Sequence, residues 1–319
     1  MPRPLETSSV IADAPPDNWV DAYAPARVQP YLKLARFDRP IGAWLLLFPC
    51  WWSQALAEVS LGRPYPDPWY LALFLVGAFV MRGAGCTWND IVDRDFDGRV
   101  ERTAKRPIPS GQVSVRQALA FALGLCLFGL VVLVQFNRAT VWVGIASLVL
   151  VAVYPFCKRF TYWPQLMLGL TFKWGALVGW TAVTGSLGLP ALVLYAGAIL
   201  WTIGYDTIYA HQDKEDDAML GLKSTALRLG SATRPWLVVF YVGAVMSWAV
   251  AGSMAAAGIG TGAALFVIAG LLGWQIATLD IDDSANCLVR FRSNKWVGWA
   301  LLGGLVADMA LGSAPMLAT

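Results

Sequence analysis

The stretch PWYLALFLVGAFVMRGAGCTWN, residues 68–89, has a single charged side chain, Arg82, in 22 positions. A helix needs about 20 mostly apolar residues to cross the hydrocarbon core of a bilayer, so this run predicts a membrane-spanning helix. Eight more runs of the same kind occupy residues 40–60, 116–136, 139–156, 163–184, 189–208, 235–256, 261–279 and 296–313. The whole chain of 319 residues is 57% hydrophobic and only 14% charged, where an average soluble domain is about 25% charged. Mean hydropathy is +0.54. These values exclude a soluble globule, a disordered chain and a nucleic-acid binder. The expected fold class is all-α: a polytopic membrane protein with nine transmembrane helices.

Residues 1–30 are Pro-rich, carry Glu6, Asp13, Asp17 and Asp21, and have no apolar core. Transit peptides are poor in acids, so this stretch reads as a mobile cytoplasmic tail, leaving 31–319 as the membrane domain. The cysteines (Cys50, Cys86, Cys126, Cys157 and Cys287) have no metal-type spacing and read mostly as small buried hydrophobes. Basic residues decide orientation. Arg3, Arg27, Lys33, Arg36 and Arg39 precede the first span; Arg94, Arg99, Arg102, Lys105, Arg106 and Arg116 follow the second. Lys158 and Arg159, then Lys214, Lys223, Arg228 and Arg234, then Arg290, Arg292 and Lys295 follow the fourth, sixth and eighth. The opposite face has only Arg63 and Arg138, so the N-terminus is expected in the cytoplasm and the C-terminus outside.

Acids bunch at two places on that cytoplasmic face. Asp90, Asp93, Asp95, Asp97 and Glu101 leave the second span; Asp206, Asp213, Glu215, Asp216 and Asp217 leave the sixth. A solvated loop would account for one cluster. Two clusters, four spans apart and both at helix ends, point to chemistry. If the helix continues past the span, Asn89, Asp93 and Asp97 recur every four positions within an arc of about 80°. On the same assumption Asp206, Asp213 and Asp217 fall within about 40° of one another. Like charges one turn apart destabilise a helix, which calls for a cation between them. Mg²⁺ takes one or two carboxylates and completes its shell with waters and substrate phosphates, so two carboxylate rows would suit Mg²⁺ and a diphosphate. Arg99, Arg102, Lys105 and Arg106 follow the first row and Lys223 the second, while Tyr154 and Lys158 lie four apart at the inner end of the fourth span. Positive-inside loop charge is the plain alternative for these. Arg82 and Lys173 are sharper, because a charge at mid-bilayer costs about 2.5–3.5 kcal/mol on insertion scales and normally faces a cavity.

At these residues the chain resembles the UbiA superfamily of intramembrane prenyltransferases, most closely its 4-hydroxybenzoate polyprenyltransferase branch. Asn89-Asp90-x-x-Asp93-x-x-x-Asp97 is similar to the first aspartate motif of that family, and Tyr205-Asp206 through Asp216-Asp217 to the second. Arg36-Phe37-Asp38-Arg39-Pro40-Ile41-Gly42, Lys105-Arg106-Pro107 and Tyr154-x-x-x-Lys158 also fit, so the likeness covers residues 31–312. It implies a helical bundle whose central cavity opens to the cytoplasmic side. It also implies Mg²⁺ on Asn89, Asp93, Asp97, Asp213 and Asp217, with Arg102, Lys105, Arg106, Tyr154, Lys158 and Lys223 on the diphosphate of a polyprenyl donor. Asp206 is the implied acceptor of the ring or phenol proton, and Arg82 is placed to meet the carboxylate of 4-hydroxybenzoate. The implied process is ubiquinone biosynthesis in a bacterial inner membrane. Lys173 departs from the family pattern, so no role passes to it, and His211 reads as structural. Homogentisate or a naphthoate remain alternative acceptors. A transporter would string its charges through several spans, and the signature of CDP-alcohol phosphotransferases is absent.

Overall fold

The computed structural model describes residue 15 and residues 17–312, and every regular element among them is helical. In chain order these are α1 (Trp19–Tyr23), α2 (Gln29–Leu34), α3 (Ile41–Ser60), α4 (Pro68–Asp97), α5 (Glu101–Ala104), α6 (Val115–Leu133) and α7 (Arg138–Val153). Then come α8 (Pro164–Phe172), α9 (Gly175–Thr184), α10 (Leu189–Ala210), α11 (Lys214–Met219), α12 (Thr225–Leu229), α13 (Thr233–Met254), α14 (Ile259–Thr278) and α15 (Ser284–Ala310). Seven of the helical segments are long and apolar enough to cross a membrane. The two other long helices, α3 and α15, coincide with the remaining expected spans. Gln54, Glu58 and three tryptophans lower the apolarity of α3, and Arg290, Arg292, Lys295 and Asp308 that of α15.

The starts of these helices are written in local chemistry. Asp67 accepts from the Trp69 amide at 2.8 Å ahead of α4, and Asn137 from the Thr140 amide at 3.0 Å ahead of α7. Ser114 and Gln117 exchange side-chain and backbone bonds in a capping box that opens α6. Helix α14 is capped from a distance. Gly258 before it supplies no side chain, and the carboxylate of Asp308 on α15 serves instead. It accepts from the amides of Gly258, Gly260 and Thr261 at 2.8, 2.6 and 3.0 Å, and from the Thr261 hydroxyl at 2.6 Å.

The chain divides into two units. The described residues up to Ala43, together with residues 76–135, form one. Its core comprises Leu34, Ile91, Ile108, Val113 and Ala118, with Tyr31 packed edge-on against Phe121 at 5.3 Å. Residues 1–14 and 16 of the expected tail lie outside the described residues, but residues 17–30 are folded here. Val20 on α1 is fully buried, and Lys33 on α2 pairs with Asp21 at 2.6 Å. Residues 44–75 and 136–312 belong to the other unit. There α10 packs against α13, α8, α9 and α15, and α14 against α15. Trp52, Trp201 and Trp248 meet ring to ring at 5.3–5.8 Å in its interior. Gly175 and Gly179 bring α9 directly onto the backbone of α3 at Cys50, the close approach that small residues permit between membrane helices.

Two expected spans differ in detail. The 163–184 run is not one helix: it breaks between Phe172 and Gly175, around Lys173. That ammonium is fully buried, donates to the Leu45 carbonyl at 2.7 Å and lies 4.6 Å from the ring centre of Trp201. The 68–89 run continues eight residues further as an unbroken helix.

Candidate active site

Because α4 runs unbroken to Asp97, Asn89, Asp93 and Asp97 do lie one turn apart along one helix. Asp93 and Asp97 are each only 8% exposed, whereas Asp95 projects outward and pairs with Arg94 at 3.6 Å. The Asn89 amide donates to Asp93 at 3.0 Å. Arg106 is returned to the row by the short helix α5 and the Pro107 turn, and donates to Asp97 at 2.8 Å. It also reaches Asp90 at 3.4 Å, where Arg36 arrives at 2.6 Å. Burial alone would lower the affinity of Arg36 for its proton, but the Asp90 carboxylate outweighs that and holds the guanidinium firmly charged. Asp38 in the same turn is 2% exposed, and burial pushes its carboxyl above the usual range. Sequence reading placed neither Arg36 nor Asp90 in a role; only their contact across 54 residues exposes it.

Arg82 lies about two turns before Asn89 on α4, some 10 Å by helical rise. Its guanidinium crosses the backbone of Gly42 so closely that a methyl there would sit 2.6 Å from Nη2 and 2.7 Å from Nε. Lys105 is exposed at the end of α5. The side chain of Arg102 lies outside the described residues, although its backbone belongs to α5.

The second acidic run does not continue as an α-helix. Helix α10 carries Asp206 and stops at Ala210; a 3₁₀ turn spans His211–Asp213, and α11 starts at Lys214. The arc of about 40° assumed about 100° per residue, and the tighter 3₁₀ winding breaks that phase. His211 is 4% exposed and its Nε2 bonds the Thr233 hydroxyl at 2.9 Å, a packing role. Lys214 bonds Asp282, whose carboxyl is held below its ordinary range by that hydrogen bond.

Tyr154 and Lys158 occupy a 3₁₀ segment, Tyr154–Arg159, rather than the end of an α-helix. Lys223 is tied to that segment: its amide donates to the Lys158 carbonyl at 2.9 Å and its ammonium to the Phe160 carbonyl at 3.2 Å. Nearby, Thr225 bonds Thr207 on α10 at 2.6 Å and Gln165 on α8 at 3.1 Å. Lys158 and Lys223 are therefore brought together in the second unit, and Arg106 with Asp97 and Asp90 in the first.

Among the described residues no three His, Cys, Asp or Glu side chains gather closely enough to cage a metal unaided. The donors of each acidic run are all oxygens in ones and twos. That set fits Mg²⁺, which accepts one or two carboxylates and takes its other ligands from water and phosphate.

Residues 46–302 match the model of the UbiA prenyltransferase family, and the chain belongs to that family. Proteins described as mitochondrial 4-hydroxybenzoate polyprenyltransferases are similar along most of its length. The Caenorhabditis elegans protein is 47% identical over 95% of this chain and 82% of its own. The Arabidopsis thaliana protein is 50% identical over 91% and 71%, and the human one 47% identical over 89% and 76%. Among solved structures, the apo form of a UbiA homolog from Aeropyrum pernix K1 superposes with a TM-score of 0.69 at 23% identity, covering 83% of this chain and 98% of that one. A UbiA homolog from Archaeoglobus fulgidus bound to GPP and Mg²⁺ gives 0.64 at 20% identity, covering 88% and 99%. These two establish the fold.

Proposed function

We propose that this multi-pass membrane enzyme transfers a polyprenyl group from polyprenyl diphosphate to 4-hydroxybenzoate, at the ring carbon ortho to the hydroxyl, in ubiquinone biosynthesis. The observation that carries this reading is identity near one half, along nine-tenths of the chain, to proteins bearing that name. Its two acidic runs supply the residue types the reaction needs. Asn89, Asp93 and Asp97 on one run, and Asp213 and Asp217 on the other, would hold Mg²⁺. When bound, Mg²⁺ acts as a Lewis acid that neutralises charge on the departing diphosphate.

The chain's own groups do the rest. Arg102, Lys105, Arg106, Tyr154, Lys158 and Lys223 bind diphosphate oxygens and stabilise the charge that develops as the allylic C–O bond breaks. Asp97 and Arg106 are bonded to each other in this structure, so a diphosphate engages them by sharing that guanidinium. Arg82 offers the forked, permanently charged donor that suits a buried carboxylate, and would orient the aromatic acid. The ring carbon attacks the allylic cation, and its displaced proton passes to the carboxylate of Asp206. Exclusion of water would keep the cation from being quenched. The basic loops support a cytoplasmic N-terminus, and the proposed location is a bacterial inner membrane.

The test uses membranes supplied with radiolabelled 4-hydroxybenzoate and a polyprenyl diphosphate. Turnover should require Mg²⁺ and disappear in Asp93→Ala and Asp213→Ala, with both proteins still inserted and monodisperse in detergent. Near-normal transfer by either variant would refute the two-row assignment.

A further inference from the structure

Residues before Gln29 lie outside every motif used above, yet α1 grips the turn that holds Arg36 at two points. The Trp19 indole donates to the Phe37 carbonyl at 3.0 Å. Asp21 pairs with Lys33 at 2.6 Å, and the two side chains are only 6% and 5% exposed. Asn18 fixes that carboxylate in turn, accepting from the Asp21 amide at 3.0 Å and donating to its Oδ2 at 2.8 Å. Lys33 and Phe37 stand on either side of Arg36, whose φ is +61°. A residue with a β-carbon enters the left-handed region at a cost and stays there only when its surroundings hold it. In that conformation Arg36 bonds the Lys33 carbonyl at 3.0 Å through Nη1 and the Asp90 carboxylate at 2.6 Å through Nη2.

The consequence falls on Asp90, which is fully buried beside Asn89. Two arginines address its Oδ1, Arg36 at 2.6 Å and Arg106 at 3.4 Å. A buried carboxylate that loses one partner pulls harder on the other. If Arg36 swings away, Arg106 is drawn onto Asp90 and away from Asp97, to which it now bonds at 2.8 Å.

We propose that Trp19 and Asp21 are positioning residues for the prenyl-donor site: they hold Arg36 on Asp90, and so leave Arg106 available to the diphosphate. This rests on the diphosphate role given to Arg106 above. It assigns a part in the reaction to a segment that precedes the residues matched by the family model.

The full-length protein in membranes tests this through separate KM values for the two substrates. Asp21→Lys should raise the KM for polyprenyl diphosphate about fivefold or more and leave that for the aromatic acid unchanged. Exchanging the pair, Asp21→Lys with Lys33→Asp, should restore it. Trp19→Phe, which keeps a ring and removes only the indole donor, should shift the same constant in the same direction and decides the matter if Asp21→Lys does not accumulate. In an Arg36→Gln background neither substitution should add anything, because all act through one contact. Tyr23→Ala, on the exposed side of α1, is the control for general damage to the helix. An unchanged donor KM in the folded variants, or an undiminished effect without Arg36, overturns the proposal. Arg106→Gln separates it from the reading beneath: an unchanged donor KM there brings down the diphosphate role of Arg106, whereas a raised donor KM there with normal kinetics in Asp21→Lys and Trp19→Phe brings down only the clamp.

Discussion

Gly42→Ala is a one-methyl change that should reach the aromatic-acid site proposed at Arg82. The new methyl would lie 2.6 Å from Nη2 of Arg82, 2.7 Å from Nε and 2.9 Å from Cζ. Non-bonded heavy atoms settle near ~3.5 Å, so the guanidinium must withdraw by about 1 Å. It is the end of a flexible side chain, and moving it costs the fold little. A hydrogen bond of ordinary length stretched by about 1 Å is no longer one. Losing a charged hydrogen bond is worth about 1.5–3 kcal/mol, or roughly 10- to 150-fold in apparent affinity. Steady-state kinetics in membranes should therefore show the KM for 4-hydroxybenzoate rising at least tenfold, the KM for the prenyl donor unchanged, and the melting temperature in detergent within a few degrees of wild type. A normal aromatic KM would refute the role given to Arg82. An equal rise for both substrates would move Arg82 to the diphosphate.

Three further outcomes follow from the same geometry. Asp308→Ala strips three amides and a hydroxyl at the start of α14 of their acceptor; stability should fall by about 3 kcal/mol, lowering the melting temperature by on the order of 5–10 °C, with kinetics at low temperature unchanged. Lys173→Met keeps the aliphatic stem and removes a buried ammonium whose desolvation is offset by the Leu45 carbonyl and the ring of Trp201; stability should change by less than about 1.5 kcal/mol, and a larger loss would show the cation to be structurally required. A reporter active only outside the cytoplasm, fused after Thr319, should be active, and activity from a fusion in the loop after the sixth expected span would reverse the orientation.

Long apolar runs made the spans readable, because a bilayer demands a minimum length and a helix satisfies its own backbone. Which way each helix faces was not readable. In water, apolar character points inward, but here Phe266 is 83% exposed while Trp52 is fully buried, and both are equally at home in apolar surroundings. The first acidic row was legible since one unbroken helix preserves a four-residue spacing. The second was not, since a single 3₁₀ turn at His211–Asp213 resets the phase and nothing in its composition announces the change. The break at Lys173 was hidden for a similar reason: the flanking residues are apolar on both sides, and a charge alone does not stop a helix. Arg36, Asp90 and the α1 contacts depend on residues distant in sequence meeting in space, which no local pattern records.

Helix α4, at 30 residues, is about 45 Å long by helical rise, well beyond the ~30 Å hydrocarbon layer. With Pro68 at one edge of that layer, a helix of this length would carry Asn89 to Asp97 past the opposite edge, toward the depth of lipid headgroups. On the proposed function, a donor with a polyprenyl tail and an anionic head would rest at that depth and would meet the acids by sliding sideways. For such an enzyme the quantity that governs saturation is the donor's mole fraction among lipids, not its molarity, and diluting the membrane with inert phospholipid is equivalent to withdrawing substrate.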